Sequence, residues 1–230
     1  MSYERMPHRS TPLLLEKSDR FMDHAPAAPP ADWTSEIWLP EPFEPRYAYP
    51  LLVWLHDAGE SELDAAAWAE ATGMQNLLVL SVRGTLTRKD GGFDWPADGD
   101  AVWKAVSEEL SQLPPELRYD ERRITLAGHS AGARAAFAAW RCHPRQIAGA
   151  CLVSPGYPDD QPLLHPAGSG TLGGRLWVGG FGAAAWQRTA QAAYALGTDV
   201  RIDSAASVPG EVGPALNEWV MRSIPTAVLA

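Results

Sequence analysis

Ser130 stands at the centre of Gly128-His129-Ser130-Ala131-Gly132, a Gly-x-Ser-x-Gly string. The short apolar run Arg122 to Ala127 precedes it, and an alanine-rich helical stretch follows to about Trp140. Strand, tight turn and helix in that order make a nucleophile elbow, in which a sharp turn lifts the serine hydroxyl to the end of a sheet. Gly128 and Gly132 leave room for the strained backbone and for close helix packing. The chemistry such a serine can do is acyl transfer. Its hydroxyl is a weak nucleophile at neutral pH and needs a base within hydrogen-bond reach, itself oriented by a carboxylate.

Positioning that serine takes a sheet, and the chain supplies one. At 230 residues, 46% hydrophobic and 20% charged, it fits a single domain with a sizeable core. Residues 1 to about 32 read as an N-terminal extension, partly disordered and ending in a proline-rich linker at 24–31. Residues 33–230 read as one α/β domain. Trp33 to Leu39 alternates as a strand, and Leu51 to Leu55 is a continuous apolar run fit for a strand buried on both faces. A loop at His56 to Ser61 leads to a helix from about Leu63 to Thr72, and Leu77 to Val82 makes the next buried strand. Arg88 to Asp100 reads as loop, and Ala101 to Leu113 as an amphipathic helix stopped by Pro114-Pro115. After the elbow come strands at Ala148–Val153, Leu176–Val178 and Asp199–Ile202, with helices at Ala184–Leu196 and Pro214–Arg222. Strands alternating with helices predict a doubly wound, mostly parallel sheet with ligands gathered at the carboxyl ends of the strands.

Composition also narrows the partners. A net charge of −9 argues against nucleic acid, since binding phosphates needs a basic surface. No run is long enough to span a bilayer, and the expected location is cytoplasmic. Cys142 and Cys151 are the only cysteines and read as two buried thiols. No cofactor or metal is expected, because no His-Cys cluster has zinc spacing and no glycine-rich string carries a P-loop lysine. The expected partner is a small ester or acyl ligand, and a homo-oligomer stays open.

Several stretches together carry a resemblance. Tyr49-Pro50 through His56, Arg83-Gly84 with Gly91-Gly92-Phe93-Asp94-Trp95, and Tyr119 through Gly132 resemble the α/β-hydrolase superfamily. The branch is that of phospholipase/carboxylesterases, acyl-protein thioesterases and feruloyl esterases, and the likeness runs from about Trp33 to Trp219. The resemblance implies an α/β-hydrolase fold without a large lid domain, Ser130 as nucleophile, and the amides of Ala131 and Ala58 as oxyanion donors.

It also implies an acid and a histidine later in the chain, in that order. The acid position, after Leu176-Trp177-Val178, reads Gly180-Phe181-Gly182-Ala183, so Ala183 replaces it. The histidine position, ahead of the closing helix, reads Ala206-Ser207-Val208-Pro209, so Ser207 replaces it. The glycine expected after His56 is Asp57. His129, next to the nucleophile, is expected to point away from a bound substrate and pack, and His143 to meet the dipole at the end of the elbow helix. His56 is expected to be structural, with substrate contact as the lesser reading, and Trp95 is a candidate pocket wall, with core packing the commoner use of such a ring. His165 lies in the loop after the Ala148–Val153 strand with Asp159 and Asp160 nearby, a relocated base and acid in the right order. A solvated loop histidine beside two solvated acids is the plainer reading.

The sequence therefore supports an esterase-like protein with its elbow kept and its usual acid and histidine replaced. The expected outcome is weak or no ester hydrolysis and a non-catalytic binding or scaffold role, a pseudoenzyme. The alternative is an active serine carboxylesterase or thioesterase using Ser130 with His165 and Asp159 or Asp160.

Overall fold

Leu51, Leu52, Val53, Trp54 and Leu55 are all buried, and the strand they form lies near the middle of a seven-stranded sheet. The computed structural model describes residues 34–72, 76–158, 173–204 and 208–222. The sheet runs β1(Ser35–Trp38), β3(Leu78–Val82), β2(Tyr49–Leu55), β6(Tyr119–His129), β7(Gly149–Val153), β8(Arg175–Gly179) and β9(Asp199–Asp203). Only the edge strand β1 is antiparallel to its neighbour, and every other pairing is parallel. Continuous apolar runs become central parallel strands because helices cover both of their faces.

Two apolar layers follow from that cover. On one face α2(Gly99–Ser111), α3(Ala131–Cys142) and α4(Gln187–Ala195) pack over Val53, Leu55, Leu126 and Leu152. On the other, α1(Ala66–Thr72) and α5(Pro209–Met221) pack over Leu52, Trp54, Ala127 and Trp177. The doubly wound, mostly parallel sheet expected from the sequence is the observed architecture. No helix among the described residues is long and apolar enough to cross a membrane.

The differences from the sequence expectation are local. The helix expected from Leu63 opens as a 3-10 turn, Glu62–Ala65, capped by the Ser61 side chain, before α1. The closing helix starts at Pro209, not Pro214, because Pro209 fits the first helical turn, where no N–H is needed. Within the stretch read as loop from Arg88 to Asp100, β5(Phe93–Asp94) pairs with the preceding β4(Leu86–Thr87) as a hairpin too short for period-two patterning to reveal. The N-terminal extension at 1–32 lies outside the described residues.

Register sets up the elbow. Leu55, the last residue of β2, is paired with Gly128 of β6. The chain leaving β2 at His56-Asp57-Ala58 therefore emerges beside the turn that carries Ser130.

Candidate functional site

The turn at Ser130 is strained in the way the sequence implies. Its φ is +51° and its ψ −108°, so this non-glycine residue holds a left-handed backbone. Residues held there cost on the order of 1–3 kcal/mol and persist only where their surroundings fix them. The fixing is visible in two backbone bonds. Ser130 N–H donates to the Val153 carbonyl at 3.0 Å, and Arg134 N–H donates to the Ser130 carbonyl at 3.3 Å. Packing forbids side chains on both flanking glycines. A Cβ on Gly132 would lie 2.0 Å from the Leu55 carbonyl oxygen, and one on Gly128 would lie 2.5 Å from the Gly132 carbonyl carbon.

The amides of Ala58 and Ala131 converge on a single oxygen, and that oxygen belongs to the protein. Asp57 Oδ1 accepts the Ala58 N–H at 2.7 Å and the Ala131 N–H at 3.0 Å. Those lengths fall within the roughly 2.7–3.1 Å at which amides hold a developing oxyanion. Bonds from amides to a carboxylate are charge-assisted and stronger than neutral ones. The Asp57 N–H is tied in turn to Glu60 Oε2 at 3.0 Å. Asp57 thus stands on the two donors that the resemblance assigns to an ester-derived oxyanion. Replacement of the expected glycine was visible in the sequence, but the direction taken by the carboxylate was not.

The histidines near the elbow are engaged elsewhere. His56 is fully buried; its Nε2 accepts the Gly84 N–H at 2.8 Å, leaving Nδ1 to donate to the Asp57 carbonyl at 2.7 Å. With both ring nitrogens on backbone, His56 offers nothing to a ligand and ties β2 to the turn after β3. His129 stacks on Trp68, with ring centres 5.6 Å apart, and its Nδ1 lies 3.7 Å from Asp57 Oδ2. His143 follows α3 at its C-terminus, and its Nε2 lies 2.9 Å from Asp100 Oδ1 on α2. Among the described residues, no side chain hydrogen-bonds to the Ser130 hydroxyl. His165, Asp159, Asp160 and Ser207 lie outside the described residues. Ala183 begins a 3-10 turn after β8 and is buried, so that position presents a methyl group and no carboxylate.

Beside the elbow, a cavity of about 240 Å³ runs along one face of α3. Its walls include Trp95, Ala131, Arg134, Phe137, Arg141 and Trp186. Trp95 contributes to this wall while 7% exposed and packed in the core. Its indole N–H donates to the His56 carbonyl at 3.0 Å, and that of Trp186 donates to the Gly156 carbonyl at 2.9 Å. Both rings are pinned by these bonds, and Phe137 meets Trp186 edge-on at 4.8 Å. Arg134 and Trp186 were not singled out from the sequence. Arg134 and Arg141 are one cavity-facing stripe of a helix whose other face is core, a pattern that reads simply as amphipathic.

Neither a protein-family model nor a curated protein sequence matches this chain. Solved structures do match it. The Bacillus cereus carboxylesterase superposes with a TM-score of 0.62 at 20% identity, covering 84% of this chain and 96% of that one. YahD, solved with malic acid, gives 0.60 at 14% identity over 83% and 98%. A ferulic acid esterase gives 0.57 at 15% identity over 83% and 92%. The chain has the α/β-hydrolase fold in its esterase-like form.

Proposed function

We propose that this protein is an α/β-hydrolase-fold binding protein in which ester hydrolysis is weak or absent. The observation that carries the reading is the Asp57 carboxylate on the amides of Ala58 and Ala131. A hydrolase that has lost its acid and base can still retain roughly 10³- to 10⁴-fold catalysis over water from oxyanion binding and substrate binding. An internal anion on both amides removes the oxyanion part of that remainder. Ala183 at the acid position adds to the argument, because a histidine without its carboxylate is neither held nor stabilised as an imidazolium. The ligand is a small acyl or ester-derived molecule held beside the elbow.

The test is covalent and kinetic. A fluorophosphonate probe is expected to leave Ser130 unlabelled at long incubation. Turnover of p-nitrophenyl acetate is expected to be the same in the wild type and in Ser130→Ala. A Ser130-dependent burst of acyl-enzyme would overturn the reading.

One observation favours a second reading, an active serine carboxylesterase. Ser130 keeps the left-handed backbone of a working elbow. On that reading His165 serves as base with Asp159 or Asp160, and Asp57 leaves the amides when substrate enters. Labelling of Ser130 that is lost in both Ser130→Ala and His165→Ala would support it.

A further inference from the structure

We propose that the cavity along α3 binds a compact carboxylic acid with an aromatic body, its carboxylate on Arg134 and its ring against the wall to which Phe137, Trp95 and Trp186 contribute. The proposal rests on the binding reading above and names the ligand class of that site.

Arg134 is the exposed guanidinium of the cavity wall. The chain carries a net charge of −9, and Arg83, Arg88, Arg175, Arg201 and Arg222 each pair with an acid. Arg134 makes no ion pair among the described residues, although it is exposed at the cavity wall. Asp94, which also lines the cavity, does not compete for it. One Asp94 oxygen accepts the Trp95 N–H at 2.8 Å and the other faces Arg88 at 3.4 Å. Arg141, on the same helix face, also lines the cavity. A planar guanidinium suits a carboxylate, which it can hold through two parallel bonds.

Size and shape set the rest of the ligand. A volume of about 240 Å³ is somewhat below the roughly 300–1,000 Å³ of pockets that take drug-sized ligands. A bicyclic aromatic acid is of that order. The indoles of Trp95 and Trp186 are already fixed by their N–H bonds, so little side-chain entropy is lost when a ring enters. Asp57 decides which anion acceptor remains. With the elbow amides filled by its own carboxylate, an incoming acid finds Arg134 and not the oxyanion donors. The site thus suits a free acid, the chemical class released when an ester is cleaved.

The experiment is calorimetric titration of the full chain with 2-naphthoate, with 2-naphthamide as a neutral probe of the same shape. The wild type is expected to bind naphthoate at least about tenfold more tightly than naphthamide, as a charge-assisted contact requires. Arg134→Gln should abolish that preference, and Arg134→Lys should restore part of it. Arg134 is exposed, so these variants keep the fold, which circular dichroism checks. Three outcomes overturn the proposal: no heat at millimolar naphthoate, equal binding of the two probes, or a naphthoate preference that survives Arg134→Gln. Fluorophosphonate labelling of Ser130 in the same preparation reports separately on the binding-protein reading, so failure of one is not mistaken for failure of the other.

Discussion

The Asp57 carboxylate accepts the backbone N–H of Ala131 at 3.0 Å, a bond that joins the end of β2 to the first residue of the elbow helix. The same oxygen takes the Ala58 N–H, so one aspartate satisfies both amides proposed as oxyanion donors. Asp57→Gly should therefore act in two ways. It should destabilise the protein by about 1–3 kcal/mol, the cost of losing charge-assisted bonds and leaving two donors to water. It should also open an anion site at Ala58 and Ala131. Urea unfolding reads the first effect, and a stabilising shift with added acetate in the variant but not in the wild type reads the second.

Ser130 should be improvable by glycine. Its φ of +51° is strained for serine and free for glycine. Strain of about 1–3 kcal/mol is set against an extra unfolded-state entropy of about 0.5–1 kcal/mol. Ser130→Gly is expected to raise stability by about 1 kcal/mol, measured by thermal or urea unfolding. An unchanged or lower midpoint would mean that the elbow carries no net strain.

Gly132→Ala should be among the most damaging single-methyl changes in the chain. Its Cβ would meet the Leu55 carbonyl oxygen at 2.0 Å, and backbone on both sides cannot yield. Loss of soluble expression, or a loss of several kcal/mol in unfolding, is expected. By contrast Gly91→Ala, which has open space around it but a φ of +101°, should cost only about 1 kcal/mol.

Glu36 gives a pH signature. Burial first, and repulsion from Glu62 second, raise its carboxyl above the ordinary value of 4.5. The folded state then holds more protons than the unfolded one between 4.5 and the raised value. Stability from this group is lost as pH rises through that window and stays lost above it. Glu36→Gln should therefore melt higher than the wild type at pH 7. The gap should close as pH falls below 4.5, where both states are protonated. Melting curves across pH 4 to 7 decide it.

Glu62 and Arg83 form an ion pair in which the glutamate side chain is only 5% exposed, and Arg83 Nε donates to Glu62 Oε2 at 2.7 Å. Arg83→Met should cost at least about 2 kcal/mol, because it strands a buried carboxylate. Arg83→Met with Glu62→Met should recover most of that loss. A double variant as unstable as the single one would show that Arg83 acts mainly through its packing over Phe93, 4.7 Å from the ring centre.

Most of the scaffold was legible because its signals are local. Leu51 to Leu55 can hardly be anything but a central strand, and Gly-x-Ser-x-Gly after an apolar run requires the turn that the structure shows. The occupied amide pair was not legible in the same way. Asp57 and Ala131 are 74 residues apart, and only the register of β2 on β6 brings them together. A sequence shows that the expected glycine is an aspartate; it does not show whether that carboxylate turns outward to water or inward to the amides. Arg134 was hidden for a related reason. Its meaning depends on what the neighbouring acids are already bonded to, and Asp94 is committed to Trp95 and Arg88 through contacts that spacing does not announce.

Trp54 stacks on Trp68 with ring centres 4.6 Å apart and planes inclined by 23°, and Trp68 stacks on His129, the neighbour of Ser130. Two indoles that close couple their strong far-ultraviolet transitions, so these split and the pair acquires a signed far-ultraviolet dichroism. The elbow thereby carries its own optical gauge. A movement of the serine turn that shifts His129 must tilt Trp68 against Trp54, and it can be followed as a change in that couplet without attaching any label.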